Sequence, residues 1–144
     1  MQMDVRLSRM LHVLIHMGRS DRPLTSEQAA TMLRTNAVLV RRTMAGLRDA
    51  GYVTSVKGHG GGWRLSRPLD QVTMLDIYTA LGEPRLFLIG PATETPDCLV
   101  EQEVNASLET AFAEARNLLL AKLARVSLAD IAKGFEARLA ACTR

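Results

Sequence analysis

The first fifty positions carry three helical faces. Leu7, Met10 or Leu11, Leu14 and Met17 recur at three- and four-residue steps, which predicts a helix over 3–18 with one buried side. Arg19 to Pro23 reads as a turn. Thr25-Ser-Glu-Gln28 then has the form of a capping box, with Thr25 bonding the Gln28 amide and Gln28 returning the bond. A second helix therefore starts there and runs to about Leu33; its small Ala29 and Ala30 let a neighbour approach closely. Only Arg34 and Thr35 separate it from Asn36, a good N-cap. From Asn36 to about Ala50, Val40, Met44 and Leu47 mark one buried face of a third helix. Its other side carries Val38, Leu39, Arg41, Arg42, Ala45 and Arg48, and Gly51 ends it.

After Gly51 the period changes. Tyr52–Lys57 and Trp63–Arg67 alternate in β fashion around Gly58-His-Gly-Gly-Gly62, which predicts a hairpin with a glycine-rich tip closed by Pro68. Val72 to about Leu81 reads as a short helix. Residues 82–96 hold three prolines around the apolar run Leu86–Ile89, a loop that offers one further strand. From Leu99 to Arg125 the stripe Val100, Val104, Leu108, Phe112, Ala115, Leu119 and Leu123 predicts one long helix, widened by Ala111, Leu118 and Leu120. At 1.5 Å per residue it would reach about 40 Å, more than a small domain needs for its own core. Val126–Ile131 is a capped break, and a last amphipathic helix takes Leu128 through Leu139.

Composition narrows the class. A chain of 144 residues with 47% hydrophobic positions can bury a core without staples, and only Cys98 and Cys142 are present, so a disulfide framework and any site needing three thiolates are excluded. A reducing, cytoplasmic setting is expected. No run approaches the roughly 20 apolar residues of a membrane span, and His12 and His16 interrupt Met10–Met17, so neither anchor nor signal peptide is expected. Charge is divided: residues 1–71 hold 11 Lys/Arg against 5 Asp/Glu, a net +6, and residues 72–144 hold 7 against 10, a net −3. Ten of the eleven basic residues in the first part are arginine, which bonds phosphates and guanine edges bidentately. One half faces a polyanion and the other pairs or senses.

Helix, capped short helix, tight turn, helix and glycine-tipped hairpin form the layout of a winged helix-turn-helix. The fold class is mainly α with a small β-hairpin: a winged helix-turn-helix domain over 1–82, a linker loop over 83–98 and a helical dimerisation region over 99–144 built on Val100, Val104, Leu108, Phe112, Leu119 and Leu123. On double-stranded DNA the third helix would enter the major groove with Val38 and Leu39 at its start. Arg41 or Arg42 would reach guanine, and Asn36 adenine or a phosphate. Lys57, His59, Gly60 and Gly61 would lie over the neighbouring backbone or minor groove. Thr25, Ser26 and the start of the second helix would take another phosphate. Trp63 would anchor the wing on the third helix.

Blander readings stand beside these. Arg41 and Arg42 alone would be a solvated face. The glycine tip runs strand to strand and lacks the Gly-Lys-Ser/Thr ending of a nucleotide loop. His12 and His16 have no third ligand at metal-site spacing, so packing or surface roles are expected. Cys98, at a helix start, is either a sensor thiol or a remnant without a sensing role, with Glu101 and Glu103 opposing a lowered pKa. No nucleophile, base and orienter cluster in a readable motif, so no enzyme is expected. The competing reading is a winged helix that docks a partner protein instead of DNA.

Leu24-Thr-Ser-Glu-Gln-Ala29, Leu47–Val53, Val56-Lys-Gly-His-Gly-Gly-Gly-Trp-Arg-Leu65 with Arg67-Pro68, Val72–Ile77 and Val126–Ile131 resemble the Rrf2 family of bacterial winged-helix repressors, the group of the IscR, NsrR and CymR regulators. The resemblance covers most of the chain and is weakest over 83–97. It implies a homodimer crossed by the long helix and bound to an inverted-repeat operator near promoters. Iron–sulfur members supply three cysteines before and at the start of that helix, where this chain has only Cys98, so no cofactor is expected. The chain is similar to the non-cluster branch, whose members respond to a protein, a small molecule or thiol chemistry. Leu39 and Arg41-Arg42 stand where the family often has an aromatic residue and an acid-amide pair, so the operator sequence does not carry over.

Overall fold

The computed structural model describes residues 2–143 and contains α1 (Arg6–Gly18), α2 (Ser26–Leu33), α3 (Ala37–Asp49), β1 (Val53–Val56), β2 (Gly62–Leu65), α4 (Met74–Ala80), α5 (Leu99–Arg125) and α6 (Leu128–Cys142), with one 3₁₀ turn at Leu69–Gln71. Helix starts follow their caps. Thr25 and Gln28 form the expected reciprocal box, and the same device opens α4 with Thr73 and Asp76 and α6 with Ser127 and Asp130. Asn36 accepts from the Leu39 amide at 2.9 Å and starts α3. The turn between α2 and α3 closes through Arg34, whose φ of 54° lets the chain reverse within a few residues.

The core is the apolar set read from periodicity, Met10, Leu14, Met17, Val40, Met44 and Leu47, joined by Val13, Ala29, Val53, Val72 and Ile77. β1 and β2 pair antiparallel with Val53 opposite Leu65 and Val56 opposite Gly62, so Trp63 and Val53 turn inward while Arg64 and Thr54 stay exposed. The sheet gains a rung outside the hairpin. The Leu24 amide donates to the Trp63 carbonyl at 3.0 Å, and the Trp63 amide returns the bond at 2.8 Å. A side chain at Gly62 would press a Cβ to within 2.7 Å of the Leu24 carbonyl, so glycine permits this approach.

Trp63 is anchored differently from expectation. Its indole N–H donates to the Ser26 hydroxyl at 2.9 Å, a buried bond that ties the wing to the first turn of α2 rather than to α3. The loop over 83–98 forms no strand at Leu86–Ile89: Pro84 and Pro91 flank the run, Phe87 stacks on Phe112 at 5.3 Å, and Leu88 and Ile89 are exposed. The Tyr78 hydroxyl donates to the Pro84 carbonyl at 2.6 Å, and Asn105 and Gln102 of α5 donate to the carbonyls of Thr93 and Pro96.

α6 returns to the first part of the chain. Leu128 has no exposed surface and belongs to the same core as Leu14 and Ile77, Ile131 packs against that core, and Arg19 at the end of α1 meets Glu136 at 2.9 Å. A second two-residue β pairing holds the junction, with Met74 donating to Val126 and Leu128 to Val72.

Two stability outcomes follow from these contacts. Leu128→Ala costs about 2–5 kcal/mol in urea unfolding, as for any fully buried leucine; a change confined to a separate, weaker transition would show the C-terminal region to be independent. Ser26→Ala leaves the Trp63 N–H buried without its acceptor and costs about 1–3 kcal/mol. That loss shrinks when Trp63→Phe is already present.

Candidate nucleic-acid interface

α3 presents its start to solvent. Val40, Met44 and Leu47 hold the helix to the core, which leaves Val38 57% and Leu39 42% exposed and puts Arg41 and Arg42 outside. Apolar groups beside guanidiniums are the set that meets thymine methyls and guanine edges in a major groove. The two arginines diverge, as adjacent helical positions must. Arg41 turns toward α2 and meets Glu27 at 3.0 Å, within a polar groove that Thr25, Ser55, Val56, Gly58 and Gly61 also line. Arg42 turns toward α1, into a depression shared with Arg6, Arg9, Leu39 and Thr43.

The other predicted contacts separate into exposed and committed groups. Thr25 is half-buried with its hydroxyl in the cap, and Ser26 is withdrawn: only 7% exposed, its oxygen already accepts the indole N–H. What α2 offers an anion there is its first-turn backbone and helix dipole, not the serine side chain. Asn36 is exposed, with Oδ1 spent on the cap. Lys57, His59 and Gly60 project at the wing tip. Gly61 is spent on the turn: its amide donates to the Gly58 carbonyl at 3.0 Å, and a Cβ there would sit 2.2 Å from the Val56 carbonyl oxygen.

Sequence reasoning did not single out the half-buried Arg9 of α1 or the exposed Arg64 of β2, nor the second groove in which Arg64 joins Arg22 and Arg67 beside β2. The alternation opposite Trp63 was the available signal for Arg64. Arg67 stacks on the Tyr52 ring at 5.0 Å. Burial, followed by the nearby Asp76 charge, pushes the Tyr52 hydroxyl above its ordinary pKa.

The long helix divides along its length. Val100 and Val104 are 72% and 50% exposed, Leu108 and Leu119 are also exposed, Phe112 is half-covered by Phe87, and Leu123 is buried. The predicted stripe from Val100 to Leu123 advances mostly in steps of four, which at 3.6 residues per turn carries it about 140° around the helix. It begins on an exposed side and ends on a buried one. Leu123 is buried within the single chain, unlike Val100 and Val104.

Cys98 occupies the N-cap position of α5 and is exposed; the nearby backbone amides of Glu101 and Val100 hold its thiol below the ordinary value. His12 and His16 lie 5.0 Å apart on α1, along an apolar cleft of about 600 Å³ lined by Leu11, Ile15, Ile131 and Phe135. Burial, with His12 and Arg19 nearby, lowers the His16 pKa. Among the described residues no three His, Cys, Asp or Glu side chains are placed to hold a metal ion, and no helix is long and apolar enough to cross a membrane.

Comparison with known proteins agrees with this arrangement. Residues 3–134 match the Rrf2 family, described as iron-dependent transcriptional regulator. The chain is 28% identical over 126 residues to YwnA of Bacillus subtilis (strain 168), an HTH-type transcriptional regulator by name, a match covering 88% of this chain and 93% of that one. A solved structure described as a DNA-binding protein is similar at TM-score 0.70 and 26% identity, over 88% and 97% of the two chains. CymR (YrzC), the global cysteine regulator of B. subtilis, shares the fold at TM-score 0.68 and 21% identity, over 92% and 97%. At the start of α5 the chain offers one thiol, Cys98. With the match running from the first helix into the last, the chain belongs to the Rrf2 family and is a transcriptional regulator, not an enzyme.

Proposed function

We propose that the protein is a homodimeric repressor in the cytoplasm that binds an inverted-repeat operator, works without an iron–sulfur cluster, and answers to a small-molecule or protein effector. The observation that carries the reading is the exposed start of α3: Val38 and Leu39 in solvent, Arg41 on the side of α2 and the wing, and Arg42 on the side of α1. Arg42, bordered by Arg9, is one base-reading candidate, on the α1 side of α3. Lys57 and the Gly60 backbone reach the flanking phosphates. The dimer rests on Val100, Val104 and Leu108, an apolar row that its own chain leaves in solvent. Pairing through it sets two recognition helices about 34–36 Å apart, one turn of DNA. Cys98 is the thiol through which oxidation would reach the long helix.

Selection of duplex DNA from a random pool on the purified protein should recover one inverted repeat. Arg42→Ala lowers affinity for that repeat by about 10- to 100-fold and relaxes preference at one position in each half-site, as loss of a bidentate guanine contact does. Lys57→Ala weakens all duplexes alike and reduces the salt slope by about 1. Uniform loss in both variants would remove the base-reading role, and recovery of no pattern by the wild type would remove the operator reading.

Val104→Glu should leave the folded chain intact and shift the protein to monomer in light scattering. Operator affinity then falls by about 100-fold or more, because two half-sites are no longer engaged together. A dimer that persists in this variant would place the interface elsewhere. Cys98, with its lowered thiol pKa, should react with iodoacetamide faster than Cys142 at pH 7; equal rates would argue against a tuned thiol.

A further inference from the structure

We propose that Glu27 is a specificity-determining residue: it holds Arg41 back from DNA in general and releases it only where a base edge offers a better partner. The inference rests on the DNA-binding reading above and concerns the groove between α2, α3 and the wing.

Glu27 is the second residue of α2 and Arg41 the fifth of α3, and the αL turn at Arg34 brings the two together at 3.0 Å. Glu27 supplies the one carboxylate among the residues lining this groove, whose other members are glycines, hydroxyl residues, Val56, Trp63 and Arg41. A groove shaped only for phosphate has no use for that charge. The acid contributes modestly to α2 as a first-turn carboxylate facing the helix dipole, a role many positions could fill without touching Arg41. Its side chain is 71% exposed and that of Arg41 51%, so the pair is well solvated and opens readily.

On a duplex without the right base, Arg41 gains only a phosphate and would leave the Glu27 carboxylate unpaired beside a polyanion. The pair stays closed, neutralises itself and displaces no counterion. Where a guanine presents O6 and N7 together, the planar guanidinium gains two aligned acceptors and a fixed geometry that a single carboxylate oxygen at 3.0 Å does not match. Arg41 then leaves Glu27. The acid thus lowers affinity for all DNA, but lowers it most where nothing replaces it, and discrimination rises as a difference of two affinities.

The test measures fluorescence anisotropy of the repeat recovered by selection and of a scrambled duplex of equal length, from 50 to 300 mM salt. It compares wild type, Glu27→Gln, Arg41→Ala and the double variant, with circular dichroism confirming the fold of each. Glu27→Gln should tighten the scrambled duplex by about 3- to 10-fold and steepen its salt slope by about 1, as one more cation reaches a phosphate. The selected repeat should change by about twofold or less, so the ratio between the two falls. In the Arg41→Ala background the added slope disappears.

Unchanged scrambled-duplex affinity in Glu27→Gln overturns the proposal while leaving the regulator reading in place. So does equal tightening on both duplexes that persists without Arg41, since that is plain repulsion. A wild-type protein that binds neither duplex overturns both.

Discussion

One cross-link sets the shape of the surface beside α3: the Trp63 indole donates to Ser26, and the backbone of Trp63 pairs with Leu24. A two-stranded hairpin has little stability of its own in water. Here it borrows stability from the start of α2, and in return fixes that helix end at a set distance from the wing tip. Gly62 is required because β2 lies within bonding distance of the Leu24 carbonyl, where no Cβ fits. The groove that Glu27 and Arg41 line has walls on both sides because of this tie, and the wing cannot swing away without exposing a buried indole N–H.

The same construction recurs at the other end of the domain. A two-residue pairing between Val72–Met74 and Val126–Leu128 lets α4 and α6 start side by side, each with its own capping box. Leu128 follows its cap directly into the core. The far end of the chain therefore stabilises α1, and anything that moves α6 acts on the element that supports α2 and α3. This is a short mechanical route from α5 to α3, because α5 and α6 are joined only by Val126 and Ser127.

What was legible in the sequence had local causes. Thr25, Asn36 and the spacing of Val40, Met44 and Leu47 act within a few residues, so caps and faces appear where expected. What was hidden depends on contacts between distant positions. Nothing near Trp63 marks Ser26, 37 residues away, as its acceptor, and a serine in a cap motif reads equally well as a phosphate ligand. The long-helix stripe turns for a geometric reason: a row chosen by four-residue steps drifts around the helix, so Val100 and Leu123 share a pattern but not a face. Leu86–Ile89 has strand composition without a neighbouring edge to pair with, and Phe87 found Phe112 instead.

Charge then assigns the two free surfaces different partners. From Leu86 to Ala115 the chain has no Lys or Arg, and it carries Glu94, Asp97, Glu101, Glu103, Glu109 and Glu114. The exposed apolar row Val100, Val104 and Leu108 sits within this acidic stretch, so DNA cannot be what covers it. The arginines of α1, α3 and the wing carry the opposite charge. A duplex approaching the molecule is repelled from the start of α5 and drawn toward α3, which orients the encounter before any contact forms. The same repulsion acts between two acidic helix halves, so a dimer through this row must place its carboxylates at the rim, in water, and keep only Val100, Val104 and Leu108 at the centre. The four-residue spacing of those three side chains along one side of α5 permits that arrangement, and the charged residues between them fall on the flanks.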